Sequence, residues 1–184
     1  MRRKLLVLFF IFMIFMFKSV YAERGSVFLF AGNQWIADKN IREIYGINFL
    51  RYGGEINVNV FKSIGFFFKF SHQSQYGRTT YFKEETYIEM NPIFYGIKIG
   101  NRFFFKLGFM NMKFEEKTPI SDYKDSTSGN YFGGGIRIPI VGPVSFGFEL
   151  GYAKADYTFE NSAGETITLK LGGPSTEAGI VIRF

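Results

Sequence analysis

From Gly65 to Tyr76 the chain reads GFFFKFSHQSQY, and its residues sort into two files. Phe66, Phe68, Phe70, His72, Ser74 and Tyr76 fall on one side, and Phe67, Lys69, Ser71, Gln73 and Gln75 on the other. The same alternation sets Phe103, Phe105, Leu107 and Phe109 against Phe104, Lys106, Gly108 and Met110. It sets Phe146, Phe148, Leu150 and Tyr152 against Ser145, Gly147, Glu149 and Gly151, and Ile136, Ile138 and Ile140 against Gly133, Gly135 and Arg137. A period of two is the mark of strands whose faces meet different surroundings. It predicts eight strands, at about 24–35, 50–61, 65–76, 86–99, 103–115, 129–140, 144–159 and 174–184. Three of the connections are tight (KSI, GNR, VGP), whereas 36–49, 77–85, 116–128 and 160–173 are longer and polar. The prediction is an all-β fold, an eight-stranded antiparallel up-and-down barrel with two unequal rims. NIREIYG predicts a helical turn in the first long loop. Pro92, inside the fourth strand, predicts a bulge that flips the facing of its neighbours.

Alternation by itself fits a soluble lipid carrier with its apolar file inward, or a membrane barrel with that file outward. The polar file decides. It is rich in Gly and Ser with scattered charges, which suits a narrow lumen better than a water-facing wall. Glu55 and Glu149 can neutralise Lys69, Lys98, Lys106 and Arg137 there, as buried charges require. The apolar file carries no charge through mid-strand, where Arg or Lys facing lipid costs about 2–4 kcal/mol. Most segments reach the ~9–11 residues of a tilted spanning strand. Trp35, Tyr76, Tyr81, Tyr87, Tyr131, Tyr152 and Tyr157 lie near strand ends, as an aromatic girdle would. A transmembrane barrel is expected.

The first residues change the charge balance. Arg2, Arg3 and Lys4 precede an apolar run from Leu5 to Phe17, and SVYA follows. This is the layout of a signal peptide, 1–22, with the barrel domain spanning 23–184. The chain has 22 Lys+Arg and 16 Asp+Glu, for +6. Without the leader's four cations, 18 basic residues face 16 acidic ones, so the basic character gives no reason to expect nucleic acid. One His and no Cys argue against a metal centre, and no cofactor is expected.

The segment TEAGIVIRF places Glu177, Gly179, Ile182 and Phe184 in a pattern that resembles the C-terminal assembly signal of bacterial outer-membrane β-barrels. The strand pattern as a whole resembles the small eight-stranded outer-membrane barrels of the OmpA-barrel and OmpX type. IREIYGINFLRYGGEINVNVFKSIGFFFKFS, TYIEMNPIFYGIKIG and Gly172-Gly173 are similar to outer-membrane β-barrel domain proteins. The resemblance implies residence in the outer membrane. It implies outer-membrane lipid and lipopolysaccharide, the barrel assembly machinery and an extracellular ligand of the loops as partners.

A barrel of eight strands is just wide enough to be filled by side chains. Phe104, Met110, Tyr131, Arg137 and Glu149 would fill this one. The leading expectation is a non-enzymatic structural or adhesin-like surface protein presenting four extracellular loops. One alternative is a hydrolase: His72 and Ser74 share a strand face, and a hairpin pairing Tyr76 with Glu85 would set Glu89 opposite His72. That trio is similar to the His-x-Ser and Glu of outer-membrane lipid A deacylases. Another is lateral transport of a small apolar molecule, hinted at by GGGIRI.

Overall fold

The structure is a computed structural model, and it describes residues 24–79, 84–119, 122–160 and 164–184. The expected leader and Tyr81 lie outside the described residues. The elements run β1 (Gly25–Trp35), α1 (Lys39–Tyr45), β2 (Asn48–Phe61), β3 (Ile64–Arg78), β4 (Glu85–Ile99), β5 (Phe103–Lys117), β6 (Asp122–Val141), β7 (Val144–Glu160), β8 (Thr166–Lys170) and β9 (Gly173–Arg183). Each strand from β1 to β7 pairs antiparallel with the next in sequence, and β9 pairs with both β7 and β1. The sheet closes into a ring of eight. It is an up-and-down barrel.

Two elements exceed the sequence prediction. β6 starts at Asp122, because DYKDSTSG forms strand although both of its faces meet water and it therefore lacks an apolar file. β8, expected as loop, pairs with the outer end of β7 from Asp156↔Lys170 to Glu160↔Thr166. It prolongs the eighth ring strand after a break at Leu171–Gly172, where both amides bond to the Ala155 carbonyl at 2.9 and 3.3 Å. At five residues, TITLK is too short to announce itself by period.

The bulge expected at Pro92 is absent. β4 keeps its alternation through that residue, which pairs with Met112. On the β3 side the ladder skips between Phe70↔Ile93 and Gln73↔Met90, yet the register is unchanged across the skip. The missing N–H is accommodated by two unpaired positions rather than by an inserted residue.

The outward file makes a continuous apolar wall. It holds Ile64, Phe66, Phe68 and Phe70 on β3, Ile93, Tyr95, Ile97 and Ile99 on β4, and Phe105, Leu107 and Phe109 on β5. It continues with Ile140, Ile138 and Phe132 on β6, Phe146, Phe148, Leu150 and Tyr152 on β7, and Ile180 and Ile182 on β9. Toward the long loops the same file turns polar at Asn33, His72, Asn91, Asn111, Asn130, Lys154 and Thr176. A solvated protein does not keep an apolar surface of this extent bare. A lipid-facing belt with a polar upper edge accounts for it.

The interior has two storeys. Toward the short turns it is ionic. Toward the long loops it is apolar: Phe49, Ile88, Met90, Phe94, Met110, Met112, Phe114, Ala153, Ala155 and Leu171 form one buried cluster. Tyr131, named from the sequence both for the girdle and for the lumen, points inward and joins this cluster. α1 lies over the cluster and buries Ile41 and Tyr45 into it.

Candidate functional site

The lower storey is built by inward residues of β2, β3, β5, β6, β7 and β9 that aim at the axis. Lys69 on β3 reaches Glu149 on β7 and Glu177 on β9, each at 2.6 Å, and Glu55 on β2 at 3.9 Å. Lys106 on β5 donates to both oxygens of Glu55, at 2.6 and 2.5 Å, and pairs with Glu149. Arg51 on β2 lies 3.3 Å from Glu177 and donates to Ser71 at 3.1 Å and Gln34 at 3.3 Å. Tyr131 donates to Glu149 at 2.5 Å and accepts from Lys69 at 3.1 Å.

All of these side chains are buried. Three cations thus meet three carboxylates in a closed, balanced cluster, the arrangement in which Coulomb attraction and hydrogen bonds offset the loss of hydration.

Of the six charges named from the sequence, Glu55, Lys69, Lys106 and Glu149 meet in this cluster. Lys98 and Arg137 lie lower, flanking the Phe104 ring at 5.6 and 5.4 Å from its centroid. Arg51 and Glu177 are members that the sequence reading did not place there. The signal was available for both: Arg51 is inward between Leu50 and Tyr52, and Glu177 sits opposite the outward file of Thr176, Ala178, Ile180 and Ile182.

The TEAGIVIRF residues divide between the two faces. Glu177 enters the lumen; Ile182 and Phe184 face outward. The Phe184 amide and carbonyl both bond to Gly25 at 3.0 Å, seating that end of β9 on β1.

His72, Ser74 and Glu89 lie on the outer wall at the upper edge of the belt. The β3–β4 hairpin pairs Tyr76 with Tyr87, not Glu85, so Glu89 stands opposite Ser74 rather than His72. The register differs because the length of the 79–84 connection does not fix it. His72 Nδ1 lies 2.9 Å from Asn91 Oδ1 and 3.6 Å from Glu89 Oε1, and Asn91 donates to Glu89 at 2.8 Å. The Tyr52 ring packs against the imidazole at 5.2 Å. Among the described residues no hydrogen bond joins His72 to Ser74. Asn91 and Glu89 both approach the imidazole at Nδ1.

At the long-loop rim α1 is latched at both ends. Asp38 caps it by accepting from Asn40 at 2.9 Å and Ile41 at 3.2 Å, and its other oxygen accepts from the Lys170 amide at 3.0 Å. The Tyr45 hydroxyl lies 2.8 Å from Thr86 Oγ1 and donates to Glu116 at 2.5 Å. Burial, helped by Glu116, pushes the Tyr45 hydroxyl above its ordinary pKa.

Beyond the belt, β5, β6, β7 and β8 continue as a tall pair of hairpins. There Tyr123 and Tyr157 converge on Asp125, donating at 3.0 and 2.5 Å, and the two hydroxyls also meet each other. Their bonds, Tyr157's foremost, hold the Asp125 carboxyl below the usual range.

No protein-family model matches the sequence, and no curated protein sequence is significantly similar to it. The shape is shared with several solved structures. Ail, the attachment invasion locus protein of Yersinia pestis, solved in complex with the heparin analogue sucrose octasulfate, superposes with a TM-score of 0.58. That match covers 88% of this chain and 99% of Ail at 11% identity. Neisserial surface protein A superposes at 0.54, covering 87% of this chain and 97% of that one at 11% identity. The outer membrane protein AlkL, solved in DMPC bilayers, superposes at 0.51, with 91% and 93% covered at 14% identity.

The fold is that of a small outer-membrane β-barrel. That shared fold and the chain's own apolar outer wall together place it in the outer membrane.

Proposed function

We propose that this chain is a non-enzymatic surface-interaction protein, a plugged barrel that holds its long-loop rim outside the cell for contact with a partner. The observation that carries the reading is the filled interior. The ionic cluster occupies the lower storey, and the Met- and Phe-rich cluster under α1 occupies the upper one. A route for solute through the axis would have to dismantle both. What is left for recognition is the rim, and loops and hairpins on a rigid scaffold are where binding resides.

The chemistry of that rim favours a protein partner over a polyanion. Among the described residues beyond the belt, acidic side chains outnumber basic ones. Tyr76 with Tyr87, and Tyr123 with Tyr157 and Phe159, supply aromatic pairs of the kind enriched at protein interfaces. The complex with a heparin analogue belongs to Ail, and the described rim of this chain has no excess of cations to offer such a ligand.

The test uses outer-membrane vesicles bearing the protein, applied to immobilised matrix proteins and to cultured cell monolayers. Native vesicles should bind above barrel-free vesicles. Vesicles in which Asp156 is joined directly to Lys170, shortening the β7–β8 hairpin, should not, while keeping heat-modifiable migration in detergent. If native and barrel-free vesicles bind alike on every surface, the reading fails.

A further inference from the structure

Among the described residues, the outer wall opens over Gly134. Three outward residues form one row across neighbouring strands there, Phe105 on β5, Gly134 on β6 and Leu150 on β7. With nothing at the centre of the row, a groove of about 650 Å³ opens, walled by Phe105, Phe132, Phe148, Leu150 and Tyr152. That size is within the range of sites that take small ligands. The backbone accounts for this glycine less than for its two neighbours. A Cβ at Gly135 would strike the Phe148 carbonyl at 2.1 Å, and one at Gly133 the Tyr131 hydroxyl at 2.7 Å. At Gly134 it would stand 3.2 Å from the nearest atom, the Phe104 carbonyl, and 3.3 Å from the Phe105 ring. Elsewhere the wall repairs such gaps: over Gly54 the Phe70 ring comes within 2.9 Å of where a Cβ would be.

The surroundings of the groove choose its occupant. It lies in the upper half of the belt, since on β6 Ile136, Ile138 and Ile140 continue the wall below it. Immediately above comes the row Leu107–Phe132–Tyr152, and above that Phe109–Asn130–Lys154. Lys154 and Asn130 face each other, both exposed, one row beyond the Tyr152 hydroxyl. The next outward residue of β7, Asp156, stands opposite Lys170 of β8. The order from the middle of the belt upward is an apolar slot, a phenol, then an amide beside an ammonium. It is the order of groups that complements an acyl chain continuing into a phosphate-bearing head.

We propose that the groove over Gly134 seats one acyl chain of lipid A, with its head phosphate on Lys154 and Asn130. The inference rests on the outward placement of the long-loop rim, which puts this half of the belt in the glycolipid leaflet. The β5–β6 and β6–β7 ladders run unbroken past the groove, so it is a seat on the wall and not a window into the lumen.

The experiment reconstitutes the full-length protein in phospholipid bilayers doped with lipid A carrying a diazirine in one acyl chain. A parallel sample carries diazirine-labelled phosphatidylethanolamine. After irradiation, adducts are mapped by mass spectrometry. Lipid A should label the peptides bearing Phe105, Phe132 and Leu150 several-fold over the Phe66–Phe70 peptide. Gly134→Leu should abolish that excess and Gly134→Ala reduce it, both with native heat-modifiable migration. Lys154→Ala should lower labelling by lipid A and leave labelling by the phospholipid unchanged.

Even labelling around the wall, or labelling indifferent to Gly134→Leu, overturns the seat. Labelling that depends on Gly134 but comes equally from both lipids overturns lipid A as the occupant. These results do not depend on which way the barrel faces. Whole-cell proteolysis of the β5–β6 hairpin reports that separately, so the seat and the rim's placement can fail independently.

Discussion

Lys69 Nζ stands 2.6 Å from Glu149 and 2.6 Å from Glu177, so one ammonium on β3 ties together two strands on the far side of the lumen. Glu177 belongs to the last strand, and this bond exists only when that strand has closed the ring. Replacing Lys69 by Met leaves Glu149, Glu177 and Glu55 crowded in a buried space with one cation fewer. Removing one partner of a buried pair costs about 3–5 kcal/mol. Urea unfolding in detergent, followed by loss of the heat-modifiable band, should show a loss of that order. The charge-balanced Lys69→Met/Glu149→Gln pair should recover part of it.

The lipid-facing assignment predicts a gradient. Phe68 lies in the middle of the outward file, and Ser74 lies near its polar edge. Phe68→Arg should destabilise the reconstituted barrel by about 2–4 kcal/mol, and Ser74→Arg by about 0–1 kcal/mol. Refolding titrations into phosphatidylcholine vesicles measure both. Equal costs at the two positions would contradict the outward belt.

Two glycines of similar appearance should behave differently. A Cβ on Gly179 would lie 1.9 Å from the Leu29 carbonyl, across the β1–β9 seam. Gly179→Ala should therefore depress the yield of folded barrel, because the seam cannot draw together. Gly134→Ala meets nothing closer than the Phe104 carbonyl at 3.2 Å, which asks for a much smaller shift, so it should depress the yield far less than Gly179→Ala.

The hairpin cluster predicts an acid transition. Bonds from Tyr157, the Ser126 amide and Tyr123 depress the Asp125 pKa below its ordinary 3.8, and Asp125 in turn raises that of the Tyr157 hydroxyl above 10.0. A depressed carboxyl contributes stability that is full above the unfolded value and lost as pH falls through the folded one. A raised phenol contributes stability that is lost as pH rises beyond 10.0. Local order around Tyr123 and Tyr157, read from their ring resonances in NMR, should hold between those limits and decay below about pH 3.8. Asp125→Asn should remove the acid dependence.

The fold was legible wherever a strand separates two media. Phe66 to Phe70 and Phe103 to Phe109 alternate because lipid and lumen ask for different side chains, and that contrast is written into every second residue. Where the contrast vanishes, the text becomes silent. Asp122–Ser128 has water on both faces, and its extension of β6 left no period to read. The upper storey was hidden for another reason: Met90, Met110 and Met112 face inward while Glu89, Asn91, Asn111 and Lys113 face outward, so past the edge of the belt the apolar file changes sides. Glu55, Lys69, Lys106 and Glu149 could be named as lumen charges, but which of them touch depends on stagger between strands. The same limit misplaced Glu89 against His72, for a two-residue slip in one hairpin keeps every face and changes every partner.

The upper storey carries a consequence for the part that stands clear of lipid. Phe114, Ala155 and Leu171 are interior to strands whose outer faces are already hydrated, with α1 laid across them as a lid. That portion has the anatomy of an ordinary water-soluble domain, with oil within and polar skin without, growing seamlessly from a cylinder of inverted build. Whatever it meets, it meets as a stiff pedestal whose order is supplied by its own heart and owes little to the bilayer beneath.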